Sequence, residues 1–280
     1  MRKTFASRVL PGAALVRATC RRSNALISVD LPTFDRPAMT INILITSDEE
    51  TGSHTSRELI EEMARGAEYV LVLEPPMANG ALKTGRKGVG DYLIEVKGKA
   101  AHAGVEPEKG ANAIVELAYQ IARIQSWNDP ASGTTLNVGT IQGGTTSNVV
   151  PERASCHVDV RAATLAEAAA IDSRMSSLTS KNPNTSLRSS GGFNRPPMER
   201  TPGVVALFQK AREVGRALGM DLAEGSTGGG SDGNFTAALG IPTLDGLGAQ
   251  GGGAHAETEH IVLDSLAPKA ALLAALMATL

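Results

Sequence analysis

The sequence predicts a two-domain α/β protein: an α/β domain with a mixed sheet, interrupted by an inserted ferredoxin-like α+β domain. Three observations carry this. The stretch Ile41–Gly52, INILITSDEETG, reads as a short buried strand that runs straight into the acidic residues Asp48, Glu49 and Glu50. A second apolar strand, Tyr69–Leu73, also ends in a carboxylate, Glu74, followed by two prolines. Between about 91 and 188 the hydrophobic periodicity runs β-α-β-β-α-β, the order of a ferredoxin-like sandwich. Adjacent carboxylates repel one another unless a cation or shared proton holds them, so the acidic turn is a candidate metal or acid/base site. The competing reading is a solvated turn that caps the next helix. In open α/β sheets ligands bind at the carboxyl ends of strands, and two strands ending in Glu50 and Glu74 favour the metal.

Composition narrows the function classes. The chain has 280 residues, is 42% hydrophobic and 20% charged, and carries a net charge of −2, which is ordinary for a globular protein and favours neither nucleic acid nor an anionic membrane. Aromatic residues make up 3%, too few for platforms that stack bases. Cys20 and Cys156 are far apart and give neither a disulfide framework nor a cysteine zinc motif. The longest apolar run, Ala270–Leu280, is too short to span a bilayer and reads as a core helix.

Residues 1–40 differ from the rest. Five arginines and one lysine precede the first acidic residue, Asp30. As a signal peptide the segment is poor, because Val9–Val16 is short, contains Pro11 and is followed by Arg17, Arg21 and Arg22. The expectation is a cytoplasmic protein whose first 40 residues are foreign to the fold.

After the acidic turn, Thr55 and Glu58 form a candidate capping box for a helix that ends at Gly66. Gly85–Gly90 looks like a boundary, and the inserted domain is set at 88–194. Its strand Asp91–Lys97 leads to a loop with His102. Ala111–Trp127 is amphipathic, with Ile114, Leu117, Ile121 and Ile124 at helical spacing. Thr134–Gln142 and Ala154–Arg161 are strands, Thr164 and Glu167 open a second capped helix, and Asn184–Arg188 is the last strand. The outer domain resumes at Arg195, so that 41–87 and 195–280 form one unit. It comprises a helix over Pro202–Leu218, a glycine-rich loop over Gly225–Gly233, a strand over Ile241–Leu244, a second glycine-rich loop containing His255, and a final helix over Asp264–Leu280. Neither loop has the spacing of a phosphate cradle.

Taken in order, SDEETGS (47–53), LEPP (73–76), KAAHAG (99–104), TSNVVP (146–151), VDVRA (158–162), NRPPMERT (194–201), TGGGSD (227–232) and AHAETEH (254–260) resemble the M20 family of metallopeptidases, and among them the glutamate carboxypeptidase branch. The resemblance spans about Ile41 to Leu280. It implies a zinc-peptidase catalytic domain carrying a lid that also serves dimerisation. Glu49 would be the general base. Glu50, Glu74 and His255 would be zinc ligands. His102 and Asn148 would reach a cleft, that of the partner subunit, and stabilise the oxyanion. Arg161 and Arg195 would bind substrate, with Arg195 clamping a carboxylate, and Gly228–Gly230, Gly229 at their centre, would let the backbone approach it. An Arg161–Asp159 surface pair and a turn role for Arg195 compete with these. The implied activity is hydrolysis of the amide bond of a peptidyl or N-acyl amino acid with a free carboxylate, by a homodimer.

The family site also has a His-x-Asp motif and a bridging Asp. The first histidine here is His54, so residues 1–53 supply no such motif. The expectation is a catalytic domain incomplete at its N-terminus. Two zinc ions are implied by the family, whereas three ligands suffice for one. The alternative is a catalytically inactive chain that dimerises through the lid.

Overall fold

A computed structural model describes residues 40–280 in full and, before them, only the backbone of the strands β1 (Thr4–Ala6), β2 (Leu15–Arg21), β3 (Asn24–Leu31) and the start of β4 (Met39–Ile45). Cys20 and the basic side chains of this segment lie outside the described residues. The chain divides into two compact units, Met1–Gly66 and Ala67–Leu280.

In the first unit β1 to β4 form an antiparallel meander in sequence order. β4 lies at its edge, paired with β3 from Ala25↔Ile45 to Leu31↔Met39. An edge strand has one hydrogen-bonded neighbour, and Ile43 and Ile45 are exposed rather than buried as the apolar run suggested. A 3-10 turn, Glu49–Thr51, follows, then helix α1 (Arg57–Ala64). The expected Thr55–Glu58 capping box does not form. Ser56 is the cap residue and makes no side-chain cap bond, because Thr55 turns back to Asp48 instead.

In the second unit β5 (Val70–Leu71) pairs in parallel with β12 (Thr243–Leu244), and β6 (Leu82–Arg86) pairs in parallel with β11 (Glu224–Thr227). The strand β6 was not anticipated. LKTGR reads as a basic boundary in sequence, yet all five residues are buried. The Arg86 charge finds Asp245 across the fold and the Thr84 hydroxyl finds Glu224, so polarity hides a core strand. Helices α4 (Pro202–Ala217) and α5 (Leu266–Thr279) pack on these strands through Leu207, Phe208, Ala211, Leu272 and Leu276, around Leu82 and Leu244. Thr201 caps α4 by accepting the Val204 N–H, with Pro202 at its first position.

The inserted domain comprises β7 (Gly88–Lys97), α2 (Ala113–Gln125), β8 (Thr135–Gly143), β9 (Arg153–Ala162), α3 (Leu165–Ser176) and β10 (Ser186–Arg195). Its antiparallel sheet runs β10-β7-β9-β8, the ferredoxin-like order. Alternation is regular: Tyr92, Ile94 and Val96 of β7 and Cys156, Val158 and Val160 of β9 face Leu117, Ile124, Ile171 and Met175. The capping box at Thr164 and Glu167 forms as expected. β10 is twice as long as the apolar pattern suggested, running through Gly191–Gly192 to Arg195 with a shift in register between Phe193 and Arg195.

Candidate metal and carboxylate site

In the first unit the acidic turn is fixed by Asp48. Its Oδ2 accepts the Thr55 N–H at 2.8 Å, the Thr55 hydroxyl at 2.6 Å and the Ser56 N–H at 3.3 Å. The neighbouring Ser56 and Thr55 hydroxyls and these backbone donors outweigh desolvation and hold the Asp48 carboxyl well below the usual carboxylate range. Gly52 and Ser53 both have positive φ, 98° and 55°, which closes the turn tightly enough for the Ser53 N–H to reach the Asp48 carbonyl at 2.8 Å. Asp48 therefore spends its charge on the turn. Glu49, half-buried, and Glu50, exposed, occupy the 3-10 turn that it anchors.

In the second unit Glu74 sits just beyond β5. The Gly248 N–H bonds its carbonyl at 2.9 Å, and a Cβ on Gly248 would stand 2.2 Å from the Leu73 carbonyl oxygen. Only glycine permits this approach, which pins the second glycine-rich loop beside Glu74. Further along that loop His255 is exposed and has φ of 63°, a left-handed conformation rare for a side-chain-bearing residue. The loop is closed at its base by β13 (Gly251–Gly252) and β14 (His260–Ile261). Glu50 belongs to the first unit and Glu74 and His255 to the second; carboxylate and imidazole are donor types that suit a divalent cation such as zinc. Among the described residues, no three His, Cys, Asp or Glu side chains are gathered as a metal-binding group.

On the inserted domain the structure brings His102 and Asn148 together. Their loops pair as short antiparallel segments: His102 bridges Val149, and the Ala103 N–H bonds the Asn148 carbonyl at 2.9 Å. The His102 Nδ1 accepts the Gly104 N–H at 3.2 Å, which leaves Nε2 as the ring's donor. The Asn148 Oδ1 accepts the Thr146 hydroxyl, orienting its amide. Both residues are exposed.

A second cluster gathers around the glycine-rich loop that follows β11. The Arg161 guanidinium grips Asp159 in bidentate fashion, at 2.9 and 2.7 Å, and its Nη1 reaches the Gly228 carbonyl at 3.4 Å. The anticipated Arg161–Asp159 pair is thus present together with a contact to the loop. Arg195 is 8% exposed, pairs with Asp232 at 3.3 Å and lies 5.5 Å over the Phe235 ring. Its Cδ would stand 2.8 Å from a Cβ on Gly230, so its stem packs on the loop backbone. Gly229 is exposed and directs its carbonyl inward.

What it meets there escaped the sequence reading. Arg86, at the end of β6, donates Nη1 to the Gly229 and Gly230 carbonyls at 2.9 and 3.1 Å. Its Nε and Nη2 grip Asp245 at 2.6 and 3.1 Å, and both residues are buried. Asp245 also accepts the Ser231 hydroxyl at 2.7 Å. One signal was available: Asp245 follows the strand Ile241–Leu244 as Glu74 follows Tyr69–Leu73.

Comparison with known proteins accords with this architecture. Residues 84–184 match the peptidase dimerisation domain of the M20 family. Carboxypeptidase G2 of Pseudomonas sp. strain RS-16 is 34% identical over 246 residues, covering 84% of this chain and 58% of its own. The chain thus spans little more than half the length of that relative. Among solved structures, aminopeptidase PepT from Bacillus cereus superposes with a TM-score of 0.72 at 25% identity, covering 96% of this chain and 77% of that one. A dinuclear metal-binding peptidase of the M20 family, YXEP of Bacillus subtilis, shares the fold with a TM-score of 0.65 at 17% identity over 86% of this chain and 65% of its own. Residues 84–184 are an M20-type peptidase dimerisation domain, and most of the chain is similar to peptidases of that family.

Proposed function

We propose that this protein is a metal-dependent hydrolase that cleaves the amide bond of a peptidyl or N-acyl amino acid bearing a free carboxylate. The observation that carries the substrate class is the cluster of Arg161 and Arg195 against the glycine-rich loop, two guanidinium groups within one wall of the fold. Planar guanidinium groups match carboxylates in bidentate fashion. The similarity to carboxypeptidase G2 supports the same reading.

In this reading Glu50, Glu74 and His255 hold the metal, zinc by analogy with the family. When bound, the ion supplies Lewis-acid polarisation of the scissile carbonyl and lowers the pKa of water. Glu49 takes a proton from the attacking water at its carboxylate and returns it to the leaving nitrogen, so that amide and water become a carboxylate and an amine. Arg195 exchanges Asp232 for the substrate carboxylate, and Arg161 flanks it. His102 Nε2 and the Asn148 amide donate to the oxyanion as it develops, in the cleft of the partner subunit. Each such donor is worth about 3 kcal/mol. The homodimer forms through the inserted domain. There β8 is an edge strand with Ile141 exposed, and α2 presents Val115 and Tyr119, 65% and 44% exposed. A groove of about 350 Å³ lies between them, lined by Ile121, Gln125 and Asn137–Ile141.

The test is direct. The purified chain is loaded with Zn²⁺, its metal content measured, and a panel of N-acyl and peptidyl amino acids assayed. Expected are turnover of substrates with a free carboxylate, a fall in kcat of about 10²–10⁴ for Glu49→Gln with metal retained, and loss of metal in Glu50→Ala, Glu74→Ala or His255→Ala. Metal binding unaffected by all three ligand variants, or equal activity of Glu49→Gln, would overturn the assignment. A dimer without turnover would establish the alternative, a non-catalytic chain that dimerises through its lid.

A further inference from the structure

The pair Arg86–Asp245 lies outside the groups assigned above, and its geometry is unlike that of a simple core ion pair. Burying two charges costs several kcal/mol in desolvation, and apolar residues of the same volume often serve stability as well. The guanidinium is used on three sides. Nε and Nη2 are taken by Asp245, and Nη1 bridges two consecutive carbonyls, Gly229 and Gly230. Asp245 extends the network to the Ser231 hydroxyl, which accepts the Gly233 N–H at 3.2 Å. Asn234, wholly buried, accepts the Ser231 N–H at 2.9 Å and donates to the carbonyls of Lys87 and Pro196, at the two points where the chain enters and leaves the inserted domain.

Three successive glycines leave the backbone of 228–230 without steric preference, so an external frame must choose its conformation. We propose that Arg86, oriented by Asp245, is that frame: a positioning residue that fixes the Gly228–Gly230 backbone against which Arg195 and Arg161 present their guanidinium groups. Two contacts transmit the placement, the Arg195 stem on Gly230 and the Arg161 Nη1 on the Gly228 carbonyl. Arg86 itself is too deeply buried to touch substrate. Lysine cannot replace it, because an ammonium lacks the fork that serves a carboxylate and two carbonyls at once.

The inference rests on the proposed carboxylate-binding role of the loop, and two readouts keep the two apart. The variants are Arg86→Lys, Asp245→Asn and the apolar pair Arg86→Met/Asp245→Leu, which strands no buried charge. Arg153→Gln, which breaks an exposed pair with Glu152 at the start of β9, is the control. The first readout, hydrogen exchange of the peptide covering 226–235 in the zinc-loaded chain, needs no activity. Expected is exchange faster by about tenfold or more there, with β7 and β9 unchanged. The second readout is kinetic: KM for an N-acylglutamate rises about tenfold or more while kcat changes less, since uniform binding is lost. Absence of turnover in the wild-type chain would refute the activity alone, and the exchange would still decide the positioning role. Unchanged loop exchange and KM in the apolar pair, or faster exchange spread evenly over the whole chain, would overturn it.

Discussion

Replacing Glu116 by Ala should loosen the inserted domain selectively. Glu116 lies on α2, 3% exposed, and its carboxylate accepts the backbone N–H groups of Lys181 and Asn182, both at 2.9 Å, and the Gln120 amide at 2.7 Å. It thus ties α2 to the loop between α3 and β10. Hydrogen bonds to a charged group contribute about 1.5–3 kcal/mol each, but water reaches part of the vacated space, so the loss is about 3 kcal/mol. For a domain near 100 residues this lowers the midpoint by roughly 10 °C or more. Glu116→Gln keeps one acceptor oxygen and should cost about half as much. Burial pushes the Glu116 pKa up, yet Gln120 and the two backbone donors, with Lys181 nearby, outweigh it and hold it below the ordinary glutamate value. The folded state therefore favours the charged form. Its contribution is complete above the ordinary glutamate pKa and is lost as pH falls through the lowered folded value. Thermal unfolding followed by circular dichroism between pH 7 and pH 3 measures both effects. A shift under about 2 °C for Glu116→Ala, or equal acid sensitivity in wild type and Glu116→Gln, would refute the reasoning.

Two further outcomes follow from the same domain. Gly191→Ala should cost at least about 2 kcal/mol in denaturant unfolding, because φ is +118° and the new Cβ would stand 2.1 Å from the Asp91 carbonyl oxygen; a loss under 0.5 kcal/mol, roughly the scatter of a surface substitution, would count against the strand geometry. Cys156 is 1% exposed and burial pushes its thiol up to about 11, so in a Cys20→Ser background it should resist Ellman's reagent at pH 8 until urea unfolds the chain, and rapid stoichiometric labelling of the native protein would contradict its placement.

The inserted domain was legible because its signals are local. Alternation in DYLIEVK, the helical spacing from Ile114 to Ile124 and the Thr164–Glu167 box each determine an element without help from distant residues, and their order leaves few topologies. β6 was illegible for the opposite reason. Lys83 and Arg86 look like solvent-facing residues, and Asp245, 159 positions away from Arg86, together with the Gly229 and Gly230 carbonyls makes the latter's burial affordable. Thr55 shows the same limit at short range. It fits a capping box by spacing, but Asp48 offers its hydroxyl and N–H a charged acceptor, and the stronger bond wins.

For the candidate site, sequence alone singled out the carboxylates at strand ends, the histidines in glycine-rich loops and the two arginines, because such chemistry stands out wherever the chain carries it. Tertiary structure decided what surrounds them. It placed His102 beside Asn148, set Arg161 and Arg195 against one loop, and put Arg86 and Asp245 beneath it. The physical reason is separation along the chain. A residue's type fixes what it can bond, but a partner far along the chain is chosen by packing, and packing is written in no single stretch of sequence.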